Sequence, residues 1–187
     1  MVDFTNSLSD KQKQFIHEQS VFFVSTCPKE GRINLSPKGL RNTFAIISDT
    51  CVAYLDFVGS GNETAAHILN DGRMTIMMTS FTQNPNIFRI YGKGRFEIKG
   101  SEEFNKYKGL FPALPGIRQI IFLDIDTIQD SCGYGVPVME LQSERETLIK
   151  WMESKGPGAL EVYKRQNNVK SIDGLPTGVL GEVGGEE

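Results

Sequence analysis

The chain has 187 residues, of which 39% are hydrophobic and 23% charged, and its formal net charge is -3. This length suits one ordinary domain with a real core, and the composition is that of a soluble globular protein. The slightly acidic balance argues against a general nucleic-acid binder, because phosphate contacts need a basic surface. A local pocket for one phosphate remains compatible with it, since that needs only one or two cations and some backbone N–H groups.

Location is suggested by what the sequence lacks. Residues 1–13 are polar and have no apolar core of a signal peptide, and no apolar run approaches the roughly 20 residues needed to cross a bilayer. Three cysteines, Cys27, Cys51 and Cys132, lack metal-ligand spacing. An odd number of such residues is typical of free thiols in a reducing compartment. We therefore expect a cytoplasmic protein with no membrane and no nucleic-acid partner.

The first predicted element is a helix at residues 8–18, with Ser9 as its N-cap. Runs of β-branched and apolar residues then predict strands at 21–26, 32–36, 43–47, 51–57, 73–79, 86–98 and 119–128. Gly92 and Gly94 interrupt the sixth of these strands, as expected where a strand bends or another backbone comes close.

Helices are fewer and peripheral. Residues 65–70 predict a short helix that ends at Gly72, residues 102–111 a second, and residues 145–155, around the only tryptophan, a third. The tail from about residue 167 is predicted to be irregular, either draped over the domain or disordered. The whole chain, 1–187, is predicted to be a single domain. Many strands joined by short loops favour a mainly β fold, a small closed barrel with helices packed at its ends.

The strongest candidate for a binding site is the segment between the fourth strand and the short helix. Small residues let a ligand approach the backbone, and the free N–H groups of the first helical turn attract an anion. Plain helix capping by Ser60 or Asn62, without a ligand, explains the pattern equally well. Glu63 counts against a phosphate if its carboxylate points inward. The candidate residues are Gly59, Ser60, Gly61, Asn62, Glu63 and Thr64.

A second candidate lies at the end of the second strand, in the segment Asn34-Leu35-Ser36-Pro37-Lys38-Gly39. Ser36 and Lys38 are two residues apart, so both point to the same face of a strand and offer a hydroxyl and a charge to one oxyanion. The alternative is an exposed turn with a solvated lysine.

Other residues with charged or reactive side chains are weaker candidates for a binding or catalytic site. Arg89 alternates with apolar residues and shares a strand face with Tyr91, Lys93 and Arg95, which is also typical of the wet face of a sheet. His67 has no second ligand at metal spacing, so no metal site is predicted. No catalytic triad or carboxylate pair is indicated. From the residues alone the prediction is an anion-binding β-barrel.

The order of these motifs resembles that of a known family. In chain order the sequence contains Gly31-Arg32-Ile33-Asn34-Leu35-Ser36-Pro37-Lys38-Gly39, Tyr54-Leu55-Asp56, Gly59-Ser60-Gly61-Asn62-Glu63-Thr64, His67-Ile68, Arg89-Ile90-Tyr91-Gly92-Lys93-Gly94 and Ser131-Cys132-Gly133-Tyr134-Gly135-Val136-Pro137. From about residue 22 to residue 140 this resembles the pyridoxamine 5'-phosphate oxidase-like flavoproteins.

The resemblance implies a split β-barrel that binds FMN at the interface of a homodimer. The phosphate-binding elements of the family would map onto Ser36, Lys38 and residues 60–64. The loop Cys132-Gly133-Tyr134 would reach the flavin or close the pocket, from the same subunit or its partner. The implied cofactor-binding set also includes Asn34, Leu35, Gly59 and Arg89.

Departures from the family pattern bear on the substrate. The Arg-x-Val-Leu-Leu-Lys strand, the Ser-Arg-Lys phosphate element and the C-terminal Arg-x-His element of authentic pyridoxamine-phosphate oxidases are missing. We therefore expect an FMN-dependent oxidoreductase with a different substrate, with NAD(P)H as a candidate electron donor. Alternatives are a relative that binds F420 or haem, a non-catalytic flavin-binding or stress protein, and a ligand-free barrel.

Overall fold

The computed structural model describes residues 3–181. Within these residues, eight strands form one antiparallel sheet, and four helices and one short 3-10 turn surround it. In chain order the elements are β1 (Asp3–Thr5), α1 (Asp10–Glu18), β2 (Phe22–Thr26), β3 (Asn34–Lys38), β4 (Phe44–Ser48), β5 (Cys51–Phe57), α2 (Glu63–Asn70), β6 (Arg73–Thr79), β7 (Ile87–Ile98), α3 (Glu102–Tyr107), the 3-10 turn (Lys108–Leu110), β8 (Ile117–Ser131) and α4 (Thr147–Asn167).

The strands are hydrogen-bonded in the order β3-β2-β6-β7-β8-β5-β4, and β1 pairs with β8. The predicted mainly β, split-barrel architecture is confirmed. The closed barrel that the strand count suggested is wrong, however. The sheet is open, because within residues 3–181 no ladder joins β3 to β4. Side chains from both halves still share one core: the ring of Phe22 on β2 lies 5.0 Å from that of Phe44 on β4 and 5.3 Å from that of Tyr54 on β5.

The two glycines of β7 mark close approaches, as predicted. The β7–β8 register shifts between Tyr91 and Gly92, and a Cβ at Gly92 would lie 1.9 Å from the carbonyl oxygen of Asp124. A Cβ at Gly94 would lie 2.8 Å from the side chain of Ile68 on α2. Gly92 therefore allows the bulge between the two longest strands, and Gly94 allows α2 to pack on the sheet.

The ends of the first two helices agree with the sequence. Ser9 caps α1, and its side chain and that of Gln12 form a reciprocal capping box. Gly72, just after α2, has φ of 83°, the left-handed conformation that glycine adopts readily.

Strands β3 (34–38, predicted as 32–36) and β8 (117–131, predicted as 119–128) differ from the prediction by two or three residues at each end, and two other elements differ more. Strand β1 was not predicted, because it has three exposed residues and exists only by pairing with the end of β8. Helix α4 begins at Thr147 and continues to Asn167, well beyond the predicted end near residue 155. Its second half follows a kink at Gly156, where φ is 70°, and Pro157 then occupies the first position of the new helical segment.

The tail is draped over the domain as far as it is described. Residues 168–181 return toward α2 and β3 through specific hydrogen bonds, and the glycine- and glutamate-rich end predicted as irregular lies mostly outside the described residues. Over residues 3–181, no helix is both long enough and apolar enough to cross a membrane.

Candidate functional site

A cavity of about 990 Å³ opens where the two ends of the sheet approach each other. Strand β3, the end of β5 and the start of α2 form one side of it, and the segment leading into α4 forms the other. Both predicted anion-binding segments line this cavity, which brings together Asn34, Ser36, Lys38, Gly59, Ser60, Gly61, Asn62, Glu63 and Thr64.

Alternation along β3 places its polar residues in the cavity wall. Asn34, Ser36 and Lys38 are half-buried, whereas Leu35, between them, is 66% exposed on the opposite face. The Ser36 hydroxyl donates to Oδ1 of Asn34 at 3.0 Å, so its lone pairs remain free to accept. The prediction that Ser36 and Lys38 share a face agrees with this arrangement.

Asn62 occupies the N-cap position of α2, yet its side chain forms no capping hydrogen bond. Its Oδ1 instead accepts from Nε2 of Gln119 at 2.8 Å. Its Nδ2 is buried and has no partner among the described residues. Plain capping therefore does not explain this residue, whose Nδ2 is a buried, unpaired N–H donor next to the cavity, of the kind that an oxygen acceptor satisfies.

A buried ion-pair network supports the segment from Gly59 to Thr64, here called the glycine loop. Asp56, at the end of β5, accepts from Nε of Arg118 at 2.6 Å and from Nε2 of Gln119 at 2.7 Å, and its other oxygen lies 3.7 Å from Nζ of Lys38. Arg118 also donates from Nη1 to the Gly61 carbonyl at 2.8 Å. One guanidinium thus fixes both the carboxylate and the loop.

The charge state of Asp56 follows from these neighbours. Burial by itself raises the pKa of this carboxyl, but the positive charges of Arg118 and Lys38 and the hydrogen bonds from Arg118 and Gln119 outweigh it, so the pKa lies below its ordinary value. Asp56 is therefore ionised at neutral pH. It pairs with Lys38 across the gap between β3 and β5, two strands that no ladder joins within residues 3–181.

Sequence reasoning had not assigned Asp56 or Arg118 to the site. Both are charged residues in or beside long buried apolar runs, and both are at most 5% exposed. That pattern, an acid and a base in separate buried strands, was the available signal, since charges at such positions are almost always paired.

The opposite side of the cavity is formed by the C-terminal part of the chain. Leu141, Leu148 and Trp151 supply an apolar surface, and Glu144 and Arg145 lie between them along the chain. The Glu144 carboxylate accepts from the backbone N–H of Arg41 at 3.1 Å, which ties this segment to the loop after β3. Sequence reasoning noted Trp151 as part of a helix but gave it no role in the site.

The other predicted site residues lie away from this cavity within a single chain. Arg89 on β7 donates to Ser131 Oγ at 3.1 Å, Leu35 faces outward, Cys132 is exposed and Tyr134 is 84% exposed. Gly133 packs against the backbone of Asn86. Their part in cofactor binding stays a prediction.

His67 is buried in α2, outside the cavity wall. Its Nδ1 lies 2.9 Å from the Thr26 hydroxyl, and its Nε2 has no hydrogen-bond partner within the described part of the chain. No cluster of three or more potential metal ligands occurs within residues 3–181.

Comparison with known proteins agrees with this architecture. Residues 8–132 match the family model described as pyridoxamine 5'-phosphate oxidase. The chain is 39% identical over 190 residues to the pyridoxamine 5'-phosphate oxidase family protein ustO of Aspergillus flavus, an alignment that covers 92% of this chain and 76% of that protein.

Solved structures share the fold at low sequence identity. Two crystal structures of tagged HupZ from Group A Streptococcus, one of them a single-residue variant, superpose with TM-scores of 0.52 and 0.51, each at 16% identity. They cover 66% and 65% of this chain, and 98% and 91% of their own. The family model and the 39% identical relative together establish the ancestry: this chain belongs to the pyridoxamine 5'-phosphate oxidase family.

Proposed function

We propose that this protein binds FMN in the 990 Å³ cavity and is an oxidoreductase whose substrate differs from pyridoxamine phosphate. The observation that carries the proposal is the convergence of Lys38, Ser36 and the start of α2 on one wall, with the unpaired Nδ2 of Asn62 buried beside them. The cavity is also within the usual size range of cofactor sites, about 300–1,000 Å³.

Each part of the wall has a distinct task in this proposal. Lys38 supplies a positive charge and Ser36 a hydroxyl to the phosphate, and the N–H groups at the start of α2 add backbone donors. Arg118 and Asp56 position the loop and the lysine. Leu148 and Trp151 exclude water from the opposite side.

The donor set fits a flavin better than a haem. Within the described residues, no histidine, cysteine or methionine lines the cavity, so it offers none of the usual axial ligands of haem iron. A bound flavin supplies hydride or electron transfer from its own ring, so the protein needs no acid–base pair there. F420 would use the same anion contacts, and identification of the bound chromophore distinguishes the two.

We further propose a homodimer in which the flavin lies at the subunit interface. Leu35, Arg89, Cys132, Gly133 and Tyr134 lie outside the cavity of their own chain, which supports a contribution from a second chain. Light scattering is expected to give twice the chain mass of 20.9 kDa. A monomer that binds FMN at full occupancy would contradict the shared site.

The enzymatic part of the proposal has its own test. The FMN-loaded protein is mixed anaerobically with NADH or NADPH while the flavin absorption is followed, and an electron acceptor is then added. Bleaching followed by recovery supports an oxidoreductase that uses a nicotinamide donor. A flavin that is reduced by neither nucleotide would point to another donor or to a flavin-binding protein without turnover.

A further inference from the structure

Glu63 presents an electrostatic difficulty for the proposed function. It is the first residue of α2 and lines the cavity wall that is proposed to bind the phosphate. A carboxylate that is free to turn toward a bound phosphate would repel it, because the two groups carry the same charge. One of its oxygens lies beside the glycine loop, 3.5 Å from where a Cβ of Gly61 would be, and the structure contains a specific arrangement that fixes it there.

The Glu63 carboxylate is bound by the C-terminal part of the chain. The backbone N–H of Ile172 donates to both of its oxygens, at 3.0 and 3.2 Å. Nε2 of His67 lies 4.0 Å from one of these oxygens. The residues that contribute to the contact are 109 positions apart in the sequence, so it exists only when the tail is docked.

The donor belongs to a well-defined β-turn. Residues 171–174 form it, with the N–H of Gly174 donating to the Ser171 carbonyl at 3.0 Å. The turn is anchored through Asp173, whose carboxylate accepts from the backbone N–H of Arg32 at 2.7 Å and pairs with the Arg32 guanidinium. It is thus fixed to the chain just before β3, the strand that carries Ser36 and Lys38.

A second contact fixes the tail to the glycine loop itself. Asn168, fully buried, donates from Nδ2 to the carbonyl oxygen of Gly59 at 2.7 Å. The Thr177 hydroxyl in turn donates to the carbonyl of Asn168 at 2.6 Å. Residues 168–177 therefore contact both ends of the segment from Gly59 to Thr64 that is proposed to receive the phosphate.

We propose that the turn at residues 171–174 is an electrostatic mask: its Ile172 N–H binds both oxygens of the Glu63 carboxylate, offsets part of its charge and stops it from turning toward a bound phosphate, and thereby keeps the anion site usable. This inference rests on the proposed function. It assigns Ile172 as a positioning residue through its backbone, acting on the cofactor only through Glu63. All of the masking residues lie C-terminal to the stretch that matches the family model, residues 8–132.

The position of Ile172 allows an unusually selective test. It occupies the second position of the β-turn, where proline is favoured. Its side chain is 70% exposed. Ile172→Pro therefore removes the N–H donor while keeping the turn, and Ile172→Ala, which keeps the N–H, is the matched control.

The measured quantity is the dissociation constant for FMN, from quenching of flavin fluorescence. Loss of a hydrogen bond to a charged group leads us to expect about tenfold weaker binding for Ile172→Pro, and little change for Ile172→Ala. Because the defect is electrostatic, it should shrink as the salt concentration rises. Thermal unfolding of each apo variant monitors the fold separately.

Rescue distinguishes masking from a general structural effect. Glu63→Gln removes the repelling charge, so the double variant Ile172→Pro with Glu63→Gln should recover most of the lost affinity. The effect of Glu63→Gln should be larger in the proline background than in the wild-type background. A defect caused by a loosened tail would not be repaired by an amide at residue 63.

The outcomes separate the two proposals. If the wild-type protein fails to bind FMN, the proposed function and the mask are both overturned. If the wild type binds FMN but Ile172→Pro binds it equally well, or binds it weakly without rescue by Glu63→Gln, the mask alone is overturned. Weakening that is repaired by Glu63→Gln and diminished by salt supports the mask.

Discussion

Asp56 shows how a single buried residue connects the fold to the site. Its carboxylate is 4% exposed and is paired with Arg118 and Lys38, which come from different parts of the sheet. Breaking a buried ion pair by removing one partner leaves the other charge uncompensated. The same residue is therefore expected to matter for stability and for the position of Lys38.

Asp56→Asn tests this role. We expect it to lower the free energy of unfolding by about 3–5 kcal/mol, the usual cost of leaving a buried partner unpaired. Urea unfolding at pH 7 measures the loss. The matched control is Asp124→Asn, which removes an exposed pair with Arg95 and should cost no more than about 1 kcal/mol.

The pH dependence of stability follows from the lowered pKa of Asp56. An acid whose pKa is lower in the folded protein stabilises that state at pH values above its ordinary pKa of 3.8. This contribution disappears as the pH falls through the lower pKa of the folded state. The free energy of unfolding, measured between pH 2 and pH 7, should therefore decline more steeply below about pH 4 in the wild type than in Asp56→Asn. Parallel curves for the two proteins would contradict the lowered pKa.

Lys38 is the residue through which the anion site is tested directly. Lys38→Ala should weaken FMN binding by about 1.5–3 kcal/mol, because it removes a charge-assisted contact to the phosphate. Equilibrium titration of the apo protein with FMN gives the affinity. Lys11→Ala, on the exposed face of α1, should bind as the wild type does. Equal affinities for all three proteins would remove Lys38 from the site.

At the scale of elements, Gly92 marks a very close approach between β7 and β8. A methyl group there would meet the backbone of β8 at 1.9 Å, and a carbonyl oxygen cannot move aside as a flexible side chain does. Gly92→Ala should therefore destabilise the protein by at least about 1–3 kcal/mol. Gly109→Ala, which meets nothing within 4 Å, is the control in the same urea titration. A small, equal effect of both substitutions would contradict the tight β7–β8 bulge.

The sequence predicted individual elements well where local chemistry determines them. The bounds 51–57 and 73–79 agree with β5 and β6, because mostly apolar runs flanked by turn residues specify buried strands. It failed where a local break is overcome by packing. Gly156, Pro157 and Gly158 follow directly after the predicted helix end at residue 155, yet the chain resumes helical geometry there and buries Leu160 against Val58 and Met152.

At the scale of the whole molecule, the site was predictable in part. Residues 34–38 and 59–64 were predicted as anion-binding segments from the small, polar and basic residues at strand and helix ends, and both segments line the same cavity. The pairing of Asp56 with Arg118, which are 62 positions apart, and of Glu63 with the tail, 109 positions apart, depends on tertiary placement that one sequence does not reveal. The apolar wall around Trp151 was missed for the same reason.

The central claim is that the cavity between β3, α2 and α4 binds FMN. The most direct measurement is the absorption spectrum of the purified protein with and without added FMN, after removal of free ligand, followed by identification of the released chromophore. We predict oxidised-flavin bands and release of FMN, with one flavin per chain at saturation. A colourless protein that retains no added FMN, or one that releases F420 or haem, would contradict the account.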